Sequence, residues 1–160
     1  MKRTLDFIVT VSLSLILLTA CNKENVNQKA FFYDIDVNGL GKDVQYEFHP
    51  FENSDSSAIN EMYAIYLALR FSDNCVIKKL PINMEYFSLE HDSIKKSNFI
   101  IPLFDENDAY NGRGNFGIYE IEIPLFSRQQ FEDSLSLYLS TPEENTKGIL
   151  SLGIILNPVK

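Results

Sequence analysis

Between Ile118 and Phe126 the chain reads Ile-Tyr-Glu-Ile-Glu-Ile-Pro-Leu-Phe, with Tyr119, Ile121, Ile123 and Leu125 on one parity and Glu120 and Glu122 on the other. Successive side chains of an extended backbone point to opposite faces, so this period of two predicts a strand with one face in a core and the other in water. The same period recurs along the chain. Phe31, Tyr33, Ile35 and Val37 alternate with Phe32, Asp34 and Asp36 ahead of a turn at Asn38-Gly39 and Gly41; Val44, Tyr46 and Phe48 alternate with Gln45, Glu47 and His49. Ile82, Met84 and Tyr86 follow Pro81, a turn fits His91-Asp92-Ser93, and a strand fits Phe99 to Leu103. Leu135, Leu137 and Leu139 alternate with Ser134, Ser136, Tyr138 and Ser140. Ile149 to Leu156 is apolar on both parities apart from Ser151 and Gly153, which predicts a strand buried on both faces or at a sheet centre. Ala58 to Phe71 contains good helix formers, yet Tyr63, Ile65, Leu67, Leu69 and Phe71 keep the period of two, and a strand is expected there. A short helical turn fits Arg128 to Asp133. About eight or nine short strands with polar turns specify an all-β antiparallel β-sandwich, jelly-roll or immunoglobulin-like in topology.

The first residues set the compartment. Met1-Lys2-Arg3 precedes the apolar run Phe7 to Leu18, which ends in Leu18-Thr19-Ala20-Cys21. A charged start, a short apolar run and small residues before a cysteine resemble a bacterial lipobox. The resemblance implies cleavage before Cys21 and acylation of that residue, so Cys21 is the expected lipidation site. Two or more acyl chains hold a protein stably on a bilayer, and no membrane-spanning helix is then needed. Residues 1–20 therefore read as a lipoprotein signal peptide, 21–29 as a polar tether and 30–160 as one sandwich domain. Asn22, where an inner-membrane retention signal would place Asp, favours the outer membrane, on its periplasmic or cell-surface face. Once Cys21 is acylated only Cys75 is left, and a single thiol cannot close an intramolecular disulfide. Beside Val76 and Ile77 it reads as a small buried hydrophobe.

The chain carries 14 Lys plus Arg against 22 Asp plus Glu, net −8. Residues 1–20 hold Lys2, Arg3 and Asp6, so their removal takes the net charge from −8 to −9. Nucleic-acid binding is not expected of so acidic a surface, because phosphate contacts need clustered cations.

No catalytic or metal constellation emerges, and neither an enzyme nor a cofactor is expected. Gly112-Arg113-Gly114-Asn115-Phe116-Gly117 matches the string that cradles a pyrophosphate in dinucleotide-binding proteins. That function needs a strand before the glycines and a helix after them, whereas here a polar loop precedes and a strand follows. A tight turn feeding the strand accounts for the glycines. Asp105-Glu106-Asn107-Asp108 offers oxygens to calcium, but Ala109 and Phe116 stand where an EF-hand loop needs ligands. Glu120 and Glu122 sit on one strand face, unlike a glycosidase pair drawn from two sides of a cleft. His49 and His91 have no partner at zinc spacing, and no Gly-x-Ser-x-Gly elbow occurs. Lys78-Lys79 and Lys95-Lys96 read as edge or rim charges that discourage sheet-to-sheet association.

Ile101-Pro-Leu-Phe-Asp105, Tyr110, Gly112-Arg-Gly114, Gly117-Ile-Tyr-Glu120, Phe131 and Gly148-Ile-Leu-Ser-Leu-Gly153 together resemble the GldH-like gliding-motility lipoprotein family of Bacteroidetes. The segment Tyr66-Leu-Ala-Leu-Arg70 is similar to that family's aromatic-x-x-x-Arg strand. Tyr110 stands where the family usually has Trp. The resemblance covers roughly residues 60 to 157 and implies a lipid-anchored, non-enzymatic component of a gliding-motility or associated secretion assembly, with other envelope proteins as partners. Asp105, Tyr110, Gly112, Gly114, Gly117, Tyr119 and Glu120 form its signature loop, in a structural or binding role. Two other readings fit the residues. One is a surface or periplasmic module binding carbohydrate or calcium through Asp105 to Gly117. The other is an immunity or inhibitor lipoprotein that meets a toxin through its acidic face.

Overall fold

The computed structural model describes residues 28–51, 62–88, 93–130 and 135–159. Cys21 with its signal peptide, most of the tether, Ala58 to Glu61, His91-Asp92 and Phe131 lie outside the described residues. Nine strands follow in chain order: β1 (Lys29–Asp34), β2 (Tyr46–Phe48), β3 (Met62–Ser72), β4 (Lys79–Ser88), β5 (Ser93–Pro102), β6 (Arg113–Asn115), β7 (Ile118–Gln130), β8 (Ser136–Ser140) and β9 (Ile149–Val159). They form two antiparallel sheets, ordered β1-β9-β3-β7-β6 and β2-β8-β4-β5. The protein is a β-sandwich, and apart from the short β6 this strand order is that of a jelly roll, in which the chain passes between two facing four-stranded sheets.

The period-two segments become these strands because each has one apolar face to bury. On β3, Tyr63, Ile65, Leu67, Leu69 and Phe71 are buried in the core, so the ambiguous segment is a strand where it is described. Leu135, Leu137 and Leu139 enter the same core from the second sheet, with Leu80, Ile82, Ile101 and Leu103 beside them. β9 lies between β1 and β3, and Ser151 to Leu156 are buried on both parities, as expected of a strand away from the sheet edges. Its outer face is covered locally. Phe32 lies against Gly153, in the space a side chain there would occupy.

Several boundaries differ from the sequence reading. β5 begins at Ser93, well before Phe99, because an edge strand needs few apolar residues to stay paired. Arg128 belongs to β7 and not to a helical turn. Val37 and Val44 fall outside β1 and β2 and are exposed. Tyr119, Ile121, Ile123 and Leu125 do face the core, but all four are only half-buried. Glu120 is half-buried rather than exposed, because Arg70 covers it from β3.

Candidate functional site

The signature residues gather at one end of the sandwich and along its β7 edge. Asp105 builds the turn that starts the loop. Its Oδ1 accepts the backbone N–H groups of Asn107 (2.8 Å) and Ala109 (2.9 Å), and its own N–H donates to the Ala109 carbonyl. Asp108 adopts a left-handed φ of 59° and pairs with Lys78. The acidic cluster is thus engaged in its own turn and one surface ion pair, and among the described residues no three His, Cys, Asp or Glu side chains converge as metal ligands.

Tyr110 then folds back on the sandwich end. Its ring stacks on Tyr119 with centroids 4.2 Å apart, lies 4.8 Å from Phe104 and 6.2 Å from Phe71, and its hydroxyl donates to the Asp73 carbonyl at 2.8 Å. Burial pushes the Tyr110 phenol pKa up. The neighbouring Asn111 ties the loop to the second sheet, donating from its backbone to the Leu103 carbonyl and from Nδ2 to the Pro102 carbonyl. Chain pinned in this way cannot keep running alongside β7. β6 accordingly starts only at Arg113, after Gly112 turns with φ 101° against the Glu120 carbonyl, a conformation and a closeness that exclude a side chain.

β6 and β7 form a hairpin in which Arg113, Gly114 and Asn115 face Glu120, Tyr119 and Ile118. The two turn residues, Phe116 (φ 55°) and Gly117 (φ 78°), are both left-handed, the pattern of a type I′ turn in which Asn is the usual first residue. Phe116 is fully exposed, at 103%. The dinucleotide-like glycine string is therefore a hairpin, as its flanks indicated.

Arg70 and Glu120, both in segments that carry the family resemblance, sit opposite each other on β3 and β7. Arg70 Nε donates to Glu120 Oε2 at 2.5 Å, and the guanidinium lies 4.8 Å from the centre of the Phe32 ring. Beside this pair the β7 edge opens into a hollow of about 580 Å³. Gly112, Arg113, Pro102 and Tyr66 border it, and Glu120 to Ile123 form its wall. Gly112 and Glu120 are thus signature residues that line it, while Tyr110 and Tyr119 support it from within and Asp105 lies in the turn beyond.

A second constellation was invisible in the sequence. His49 Nδ1 lies 3.0 Å from Ser136 Oγ, and its Nε2 lies 3.0 Å from Glu47 Oε1. The order Ser–His–Glu is that of a hydrolytic relay, but β8 is paired by β2 on one side and β4 on the other. Ser136 itself opens the strand, opposite Phe87 of β4 and beyond the β2 ladder, which ends at Leu137. His49 and Glu47 are 41% and 46% exposed, so water competes for both. Cys75 is buried, which raises its thiol pKa and keeps it in the unreactive form.

No family model and no curated relative matches the chain. Among solved structures, one of tomato aspermy virus, determined by X-ray crystallography, aligns with 94% of this chain and 93% of its own at 6% identity, with a TM-score of 0.37. One of Triatoma virus aligns with 87% of this chain and 69% of its own at 9% identity, with a TM-score of 0.29.

Proposed function

We propose that the protein is a lipid-anchored, non-enzymatic binding component of an envelope assembly, attached to the outer membrane through Cys21 and working in gliding motility or associated secretion. The observation that supports this reading is polarity along the sandwich. β1 begins with Lys29 opposite Leu156, at the level of Ile65 and Phe126, whereas the β6–β7 hairpin lies at the other end, beside Ser72. A tether entering at Lys29 and acylated at Cys21 holds the first end toward the bilayer and directs the signature loop and the fully exposed Phe116 away from it. An exposed aromatic side chain on a well-braced loop suits contact with another protein.

Metabolic labelling with a radioactive fatty acid tests the anchor. The native chain should take up label and fractionate with the outer membrane, and Cys21→Ser should do neither. Label retained by Cys21→Ser would remove the anchoring half of the proposal. Affinity capture of the native lipoprotein separates the alternatives for the binding half, with motility or secretion proteins supporting it and a toxin favouring the inhibitor reading.

A further inference from the structure

The open edge of β7 has a polarity that follows from the hairpin beside it. In a hairpin closed by a two-residue turn, the flanking residues, here Asn115 and Ile118, exchange their backbone N–H and C=O groups. Because these groups alternate in direction along an antiparallel strand, Ile118, Glu120 and Glu122 aim theirs toward the β6 side, and Tyr119, Ile121 and Ile123 aim theirs toward β3. The Glu120 carbonyl does meet Gly112 on the β6 side. At Glu122 the β6 line has ended, and among the described strands none pairs with that edge. The next residue of the same parity is Pro124, which has no N–H to leave unmade. The unpaired stretch next to β6 is therefore centred on Glu122, between Gly112 and the interruption at Pro124, and β7 runs on beyond that interruption to Gln130.

The side chains around this opening define what fits. Ile121 and Ile123 are half-buried core residues that face the hollow, and Glu122 is exposed on the outer face with no ion pair among the described residues. We infer that this edge accepts an extended segment of a partner polypeptide, added as a short strand in line with β6, in which a Lys or Arg is flanked on both sides by apolar residues. The basic residue pairs with Glu122 through both backbone groups and shares its outer face, where opposite charges attract across a ladder. Its two neighbours point inward over Ile121 and Ile123 and shed water there. The inference rests on the binding-component reading above but not on Cys21, so a failed acylation test leaves it standing.

Selection from a displayed library of random nine-residue peptides, against the full chain in detergent micelles, tests it. Enriched peptides should carry the apolar–basic–apolar pattern, and the tightest one, synthesised, should shift the backbone amide resonances of Ile121, Glu122 and Ile123. Glu122→Lys should weaken that peptide about tenfold while leaving the melting temperature unchanged, and selection against this variant should replace the basic residue with an acidic one. The inference is overturned if nothing is enriched, if Glu122→Lys leaves affinity unchanged, or if the shifted resonances belong to the outer face of the second sheet. It also fails if the Glu122 amide is covered by a second copy of the chain as concentration rises.

Discussion

The two lateral sides of this sandwich are built from the same wiring but finished differently. On the β1–β2 side, Tyr33 bridges the sheets. Its ring meets Tyr46 edge-on at 5.5 Å and Phe48 at 5.1 Å, and its hydroxyl donates to the Glu47 carbonyl at 2.7 Å. On the β7–β5 side no such aromatic bridge spans the stretch from Ile121 to Ile123 among the described residues, and further along Tyr86 of β4 touches Phe126, ring centroids 5.0 Å apart. The difference originates in one loop. Tyr110 and Asn111 draw the chain toward Phe71 and Leu103, so β6 covers three residues of β7 and then stops. An edge left open in this manner exposes ladder groups that attract another strand, and Pro124, which has no N–H, interrupts the row just past Glu122.

Truncations on the two sides should separate them. Phe48→Ala, on the closed side, should cost about 3 to 5 kcal/mol, as expected for a large side chain removed from a filled core. Ile123→Ala, half-buried on the open side, should cost about 1 to 2 kcal/mol because water already reaches part of the side chain. Urea titrations of both variants measure this, and equal losses would mean the open side is as well filled as the other. Tyr110→Phe should cost about 0.5 to 1.5 kcal/mol, since it removes one hydrogen bond and keeps the ring stack on Tyr119. Phe116→Asn should stabilise the fold by roughly 1 kcal/mol, because Asn tolerates the left-handed conformation better than an exposed aromatic does. A loss of stability there would show that the Phe116 ring contributes to the fold. The smallest effect expected is that of calcium. With Asp105 engaged by backbone N–H groups and Asp108 by Lys78, thermal melts in millimolar calcium and in chelator should coincide.

The architecture was largely legible in the sequence because burial of one strand face imposes a period of two that composition cannot hide. Leu135 to Leu139 could be placed from that pattern, and Ile149 to Leu156 from an apolar run on both parities that only a strand away from the sheet edges can bury. The glycine string, too, could be assigned to a turn from its flanks. Edges were harder to read. β5 carries Lys95, Lys96, Ser97 and Asn98, whose polarity masks a strand that β4 pairs throughout. As expected of edge charges, Lys96 pairs with Glu85 and Lys95 lies over the Tyr86 ring. The half-burial of Ile121 and Ile123 depends on how far β6 runs, which is set by Tyr110 and Asn111 through contacts distant in sequence. The same is true of His49, which Glu47 meets from two residues away but which Ser136 meets only through the register of β2 against β8. The pairing of Arg70 with Glu120 likewise follows from register and from no local motif.

Among the described residues the Glu122 backbone faces an edge that no strand occupies. Hydrogen exchange of individual amides, followed by nuclear magnetic resonance in the free chain, reads this directly. Rapid exchange is expected at Glu122 between slow neighbours at Ile121 and Ile123, whose N–H groups face β3, with the Glu122 amide slowing once a selected peptide is bound. Protection of Glu122 equal to that of Ile121 and Ile123 in the free chain would contradict an open edge.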